Sequence, residues 1–141
     1  MPHLTPGLRR CYIQPMTLSE LLVHFREEDA CRRYLTQRRW PNGVTCPKCD
    51  NVNVWLVRHR PFHWICKRCN RNGYRFSVIT KTIFENTKYP LSEWFKVIFI
   101  VCSSKQGVSA RWIQQMLGMG SYRTAWYMRR RISAAMKNAD G

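Results

Sequence analysis

Apolar residues recur along this chain with a helical rhythm at both ends and a broken, strand-like rhythm in the middle. Thr17-Leu-Ser-Glu20 fits a capping box, with Met16 and Leu21 placed as a hydrophobic staple, so a short helix is expected through about Phe25. Glu27-Glu-Asp29 puts acids where they favour the positive end of a second helix, expected to reach about Arg39. Its apolar positions Ala30, Cys31, Tyr34 and Leu35 form a narrow stripe, and the acids read as its solvated first turn rather than as a metal site. Pro41-Asn-Gly43 ends that region. Val52 to Arg58, Phe62 to Ile65 and Tyr74 to Ile79 are then predicted as short strands separated by turn residues.

Pro90-Leu-Ser92 opens a helical remainder in which Trp94, Phe95, Ile98, Val101 and Cys102 share one face. Gly107 breaks that helix, and Ser109 caps a short one to Leu117. Gly118-Met-Gly120 turns the chain, and Ser121 caps a last helix to about Met136. Residues 1–15 are Pro-rich and aperiodic, a frayed lead-in. The pattern predicts a small, modular α+β protein in three parts: a helical segment over 1–43, a β unit over 44–88 and a helical domain over 89–141.

Charge changes this picture from architecture to partners. The 141 residues carry 24 Lys plus Arg against 8 Asp plus Glu, a formal net charge of +16, and 17 of the cations are Arg. Seven cations and no acid lie between Asp50 and Glu85, and eight cations and no acid between Phe95 and Ala139. Exclusion of acids from two long stretches points to a polyanion, and Arg grips phosphate with a planar fork. A 45% hydrophobic fraction is too high for a disordered basic tail. The longest apolar run, Val97 to Cys102, falls far short of the roughly 18 residues of a membrane span. The N-terminus has no apolar core of a signal peptide, so a cytoplasmic, nucleoid-associated protein with no membrane partner is expected.

Four of the seven cysteines stand in Cys46-Pro-Lys-Cys49 and Cys66-Lys-Arg-Cys69, with sixteen residues between the pairs. That spacing predicts a closed, structural site for one Zn²⁺ held by Cys46, Cys49, Cys66 and Cys69, with no open position for catalysis. Four thiolates leave the site with net negative charge, which Lys48, Lys67 and Arg68 can offset. His59 and His63 read as hairpin side chains rather than ligands, and Cys11, Cys31 and Cys102 as free thiols.

Ser103 to Met136 has the layout of a helix-turn-helix. At about 100° per residue, Ala125, Met128, Ile132, Ala135 and Met136 fall on one arc of the last helix, and Arg123, Tyr127 and Arg130 on the opposite one, flanked by Thr124 and Arg131. The candidate DNA contacts are therefore Lys105, Ser109, Arg111, Ser121, Tyr122, Arg123, Thr124, Tyr127, Arg130 and Arg131. Arg58, Arg60 and Arg71 are candidate phosphate contacts from the β unit. The partner expected is double-stranded DNA.

Taken with Arg39-Trp-Pro-Asn-Gly43, Trp64-Ile-Cys-Lys-Arg-Cys69, Phe76-Ser-Val-Ile-Thr-Lys-Thr-Ile-Phe-Glu85, Lys105-Gln-Gly-Val-Ser109, Ser121-Tyr-Arg-Thr-Ala-Trp126 and Met128-Arg-Arg-Arg-Ile132, these motifs resemble the N-terminal region of bacterial insertion-sequence transposases that carry a transposase zinc ribbon. The resemblance spans about residues 16–137. It implies a zinc ribbon and helix-turn-helix that bind the element's terminal inverted repeats, followed by a ribonuclease-H-type domain in which three acids hold two Mg²⁺ ions. The chain stops at Lys137-Asn-Ala-Asp-Gly141, about where such a domain would begin, so no catalytic residues are expected here. Self-association, or association with a full-length transposase, is the expected protein partnership. Two rivals use the same residues: a transposase-derived repressor of transcription or transposition, and a zinc-ribbon adaptor for protein or RNA.

Overall fold

The computed structural model describes residues 16–104 and 106–140, with side chains as far as Lys137. The expectations for the lead-in, Cys11 and Lys105 lie outside the described residues. The chain forms five helices and one small antiparallel sheet among the described residues, the mixed α+β class expected. Among the described residues two compact units result, one from Glu27–Lys88 and one from the segments that flank it on either side.

In the flanking unit, α1 (Leu18–His24) begins with the expected capping box: Thr17 Oγ1 accepts from the Glu20 N–H at 3.2 Å, and the Glu20 carboxylate accepts from the Thr17 N–H at 2.7 Å. Leu21 and Phe25 are its buried side chains, and the Phe25 ring meets Phe95 edge-on at 4.8 Å. Phe95 belongs to α3 (Leu91–Ser103), whose buried side chains are Leu91, Trp94, Phe95, Val97 and Ile98. Val101 and Cys102, expected on the same stripe, are half-buried. α4 (Ala110–Leu117) and α5 (Tyr122–Asp140) pack on each other and on α3, closing a core over Ala110, Ile113, Ala125, Met128 and Ile132. Gly118 ends α4 in the left-handed conformation, φ +63°, so the Met119 N–H reaches back to the Gln114 carbonyl. α5 runs one turn beyond the expected Met136.

The other unit starts with α2 (Glu28–Arg39) and continues into β1 (Trp55–Leu56), β2 (His63–Cys66) and β3 (Tyr74–Ser77), in sheet order β1-β2-β3. The sequence reading places α2 with α1 in residues 1–43; in the structure α2 packs with the β unit. The reason is aromatic. Trp40, just past α2, meets Trp64 at 5.4 Å and Phe76 at 6.0 Å, and Leu35 packs against the same cluster. Arg39 lies over the Trp40 ring at 4.6 Å and donates to the Val78 carbonyl at 2.9 Å. β1 and β3 are shorter than the apolar runs that predicted them, and β2 keeps the expected length one residue further on. β1 keeps only two residues, because Asn51 Oδ1 accepts the Asn53 N–H and holds the preceding stretch in a turn.

Candidate metal centre and nucleic-acid interface

Each cysteine pair is held by its own backbone turn. After Cys46 the chain doubles back: the Asp50 N–H reaches the Cys46 carbonyl at 2.9 Å and the Cys46 N–H reaches the Asn51 carbonyl at 3.0 Å, with Asp50 at φ +60°. The Lys48 N–H points at Cys46 Sγ, 3.4 Å away. The second pair leaves the end of β2, and an Asn70–Gly73 turn returns the chain to β3. Gly73 sits at φ +88°, and a Cβ there would lie 2.9 Å from Ile65 Cγ2, so both conformation and space require glycine.

The four sulfurs lie within 4.8 Å of one another, with Cys46–Cys69 at 3.8 Å and Cys49–Cys66 at 3.5 Å. A tetrahedron of thiolates at about 2.3 Å from zinc spaces its sulfurs about 3.8 Å apart, so the cluster fits one structural Zn²⁺. Cys46 and Cys66 are fully buried, and Asn51, itself buried, donates an amide N–H toward Cys66 Sγ at 3.6 Å. Burial alone raises the Cys66 thiol, but the Asn51 amide and the backbone around Cys69 and Arg68 outweigh it and draw Cys66 down to about 6. Burial and the neighbouring sulfurs push Cys69 up to about 12. A cation that replaces the shared protons resolves this conflict in favour of four thiolates. His59 is exposed and His63 donates through Nδ1 to the Pro61 carbonyl, so neither joins the cluster. Lys48 lies over the Tyr74 ring at 5.4 Å and Lys67 over Trp55 at 5.8 Å.

The helix pair α4–α5 presents the second feature. Its inward arc is as the wheel predicts for Ala125, Met128 and Ile132, while Ala135 and Met136 are half-buried near the helix end. Arg123, Tyr127 and Arg130 are exposed together on the outward arc. Three arginines lie over aromatic rings here: Arg111 over Tyr122 at 5.8 Å, Arg130 over Trp126 at 5.3 Å, and Arg131 over Tyr127 at 5.3 Å. Ser109 and Ser121 cap α4 and α5, accepting from Trp112 N–H at 3.1 Å and Thr124 N–H at 3.4 Å. Both serines are exposed, and each hydroxyl, accepting in its cap, keeps a proton to donate.

Thr124 is placed differently from the rest of the candidate set. It is 9% exposed, and its hydroxyl lies 2.6 Å from the Tyr89 hydroxyl, so it turns into the unit rather than onto the outward arc. Lys105 lies outside the described residues. Arg58, Arg60 and Arg71 are exposed around the β unit's turns. Two contributors are absent from the sequence reading. Trp126 extends the outward arc at 42% exposure, a position the wheel allows but its apolar character masked. Arg129, one residue off that arc, donates to the Val108 carbonyl and ties α5 to the loop before α4.

Residues 26–72 match the transposase zinc-ribbon domain, a stretch that takes in α2 as well as both cysteine pairs. The chain is also 33% identical over 79 residues to an uncharacterized protein in transposable element ISH50 of Halobacterium salinarum; the match covers 53% of this chain and 25% of that protein. The chain thus spans about a quarter of that relative's length. No solved structure matches it. The expected likeness to zinc-ribbon transposases of insertion sequences is borne out, as is the structural zinc site.

Proposed function

We propose that this chain is the DNA-reading part of a transposase, binding the ends of its element in duplex form. The observation that carries the reading is the outward arc of α5, where Arg123, Tyr127 and Arg130 stand exposed opposite buried Ala125, Met128 and Ile132. In a helix-turn-helix the second helix enters the major groove, and its first turns reach base edges. Arginine forks suit the guanine edge, and Arg130 and Arg131 each lie over an aromatic ring of the same helix. Arg111, Ser109 and Ser121 supply phosphate contacts that fix register. The match of residues 26–72 to a transposase zinc-ribbon domain, and the relative's place in a transposable element, support a transposition role over a protein or RNA adaptor.

In this reading zinc is architectural. It locks the β unit so that Arg58, Arg60 and Arg71 stand on a fixed scaffold toward phosphate. Strand cutting belongs to carboxylates elsewhere in a full transposase, with which this chain or a second copy associates on the bacterial chromosome. Among the described residues, the side chains close enough to share a metal are the four cysteines, and the acids form no such group. No described helix is long and apolar enough to cross a membrane.

Fluorescence anisotropy with a duplex carrying the terminal repeats that flank the gene, against a scrambled duplex, tests the proposal. Arg123→Ala should cost about 1–3 kcal/mol on the repeat and relax preference at one base pair. Arg111→Ala should weaken both duplexes alike and lower the salt slope by about 1. Equal affinity of the native protein for repeat and scrambled DNA contradicts sequence-specific reading.

A further inference from the structure

The sheet of the β unit has two unlike faces. Alternation along β2 and β3 sends Trp64, Cys66 and Phe76 into the aromatic and cysteine core. The other face is open. Its ladder runs Trp55–Ile65–Arg75 across the three strands, since Trp55 pairs with Ile65 and Ile65 with Arg75. Trp55 is 63% exposed, although a free indole on an edge strand is a burden in water. Lys67, the next outward position along from Ile65, lies 5.8 Å from the Trp55 ring centre. Two residues the other way along β2, about 7 Å at strand rise, is His63. There Arg60, His63 and Arg75 line a hollow of about 160 Å³, together with Ser77 and Thr80 and with Val57 and Phe76 as its apolar part.

The hollow is suited to an anion. Arg60 and Arg75 are exposed cations at its wall, and Ser77 and Thr80 hydroxyls lie 3.3 Å from each other beside it. His63 Nδ1 donates to the Pro61 carbonyl, so the donors this hollow offers an anion are the Arg60 and Arg75 guanidiniums and the two hydroxyls. No acid occurs between Asp50 and Glu85 to repel a phosphate from this face. An aromatic plane with a cation over it, one nucleotide's length from a cationic hollow, is a platform for a stacked base and its phosphate. The interior of a duplex cannot use it, because bases paired in a stack do not offer a free face.

We propose that the open face of this sheet binds unpaired DNA, with a base stacked on Trp55 and a backbone phosphate in the Arg60–His63–Arg75 hollow. The choice of DNA rests on the transposition reading above; the stacking geometry does not. A transposon end that is frayed or nicked during recombination presents such a strand. This contact shares no residue with the α5 arc and only Arg60 with the duplex phosphate contacts proposed above, so changes at Trp55 and Arg75 test it apart from duplex reading.

The test uses the zinc-loaded full chain and three labelled probes: a twelve-nucleotide oligo-dT, the oligo-U of the same length, and a blunt duplex carrying the terminal repeat. Trp55→Ala should weaken oligo-dT binding about tenfold, as loss of one stacked base predicts, and Trp55→Phe should restore most of it. Arg75→Ala should weaken the same probe. Both changes should leave blunt-duplex affinity within about twofold, and zinc content unchanged. Arg123→Ala should show the reverse pattern. Equal oligo-dT affinity in Trp55→Ala and the native chain overturns the proposal, as does an equal loss on both DNA probes. Tighter binding of oligo-U than oligo-dT overturns the assignment to DNA. Native protein that binds the repeat duplex but not oligo-dT removes this inference and leaves the duplex-reading function intact. Failure on the duplex with retained oligo-dT binding does the opposite.

Discussion

Cys31 shows how one residue's surroundings decide its chemistry. It is fully buried, and burial first, then the Glu28 carboxylate, push its thiol up to about 12. It should remain neutral and resist alkylation at pH 8 in the zinc-loaded protein, which mass spectrometry after iodoacetamide would show. In the unfolded chain the same thiol ionises near 9. The folded form therefore keeps this advantage in full below pH 9 and loses it as pH rises toward 12. Rapid labelling of Cys31 in the folded protein would contradict the burial. Thr124 carries the complementary lesson. A helical wheel sets it at the edge of the outward arc, and no local pattern announces that Tyr89, 35 residues earlier, covers it. Thr124→Val should lower thermal stability by roughly 1 kcal/mol and leave DNA affinity unchanged. A DNA defect without a stability defect would return Thr124 to the interface.

At the scale of elements, capping chemistry made α1, α4 and α5 legible, while α2 and α3, which begin without a side-chain cap, were read from their apolar stripes. Thr17, Ser109 and Ser121 each cap as their side chains suggest, because a cap is a contact between residues three apart. The cysteine pairs were legible for the same reason, since each closes its own turn. The run from Val52 to Arg58 reads as a strand from its apolar residues, yet Val52, Trp55 and Leu56 are all exposed. Their apolar character does not fill a core, and this is the signal behind the open-face proposal. Asn51 was missed because its role depends on a sulfur fifteen residues away. Gly73→Ala tests the tightness of the ribbon's second turn. With positive φ and Ile65 only 2.9 Å from the added carbon, it should destabilise the zinc-loaded unit by more than about 1 kcal/mol in denaturant unfolding. An unchanged midpoint would show that the turn has slack.

At the scale of the molecule, contacts group α2 with the ribbon, and the matched zinc-ribbon stretch likewise starts before α2. That grouping could not be read from helix periodicity, which says what an element is and not what it packs on. It follows from Trp40, Trp64 and Phe76, whose ring contacts join α2's end to the sheet. A β unit this small lacks the core to fold unaided, so zinc supplies much of its stability. Chelation should therefore release amide protection over residues 27–88 while α3, α4 and α5 keep theirs, as hydrogen exchange would report. Uniform protection with and without metal would contradict a structural zinc.

Methylation interference tests whether α5 reads the major groove of the element's ends, as proposed. Dimethyl sulfate modifies guanine N7, a major-groove acceptor. Modified guanines should block binding of the native chain at a few positions within the terminal repeat, and Arg123→Ala should abolish interference at one of them while sparing the others. Binding indifferent to N7 methylation throughout the repeat, or a pattern unchanged in both Arg123→Ala and Arg130→Ala, would contradict it.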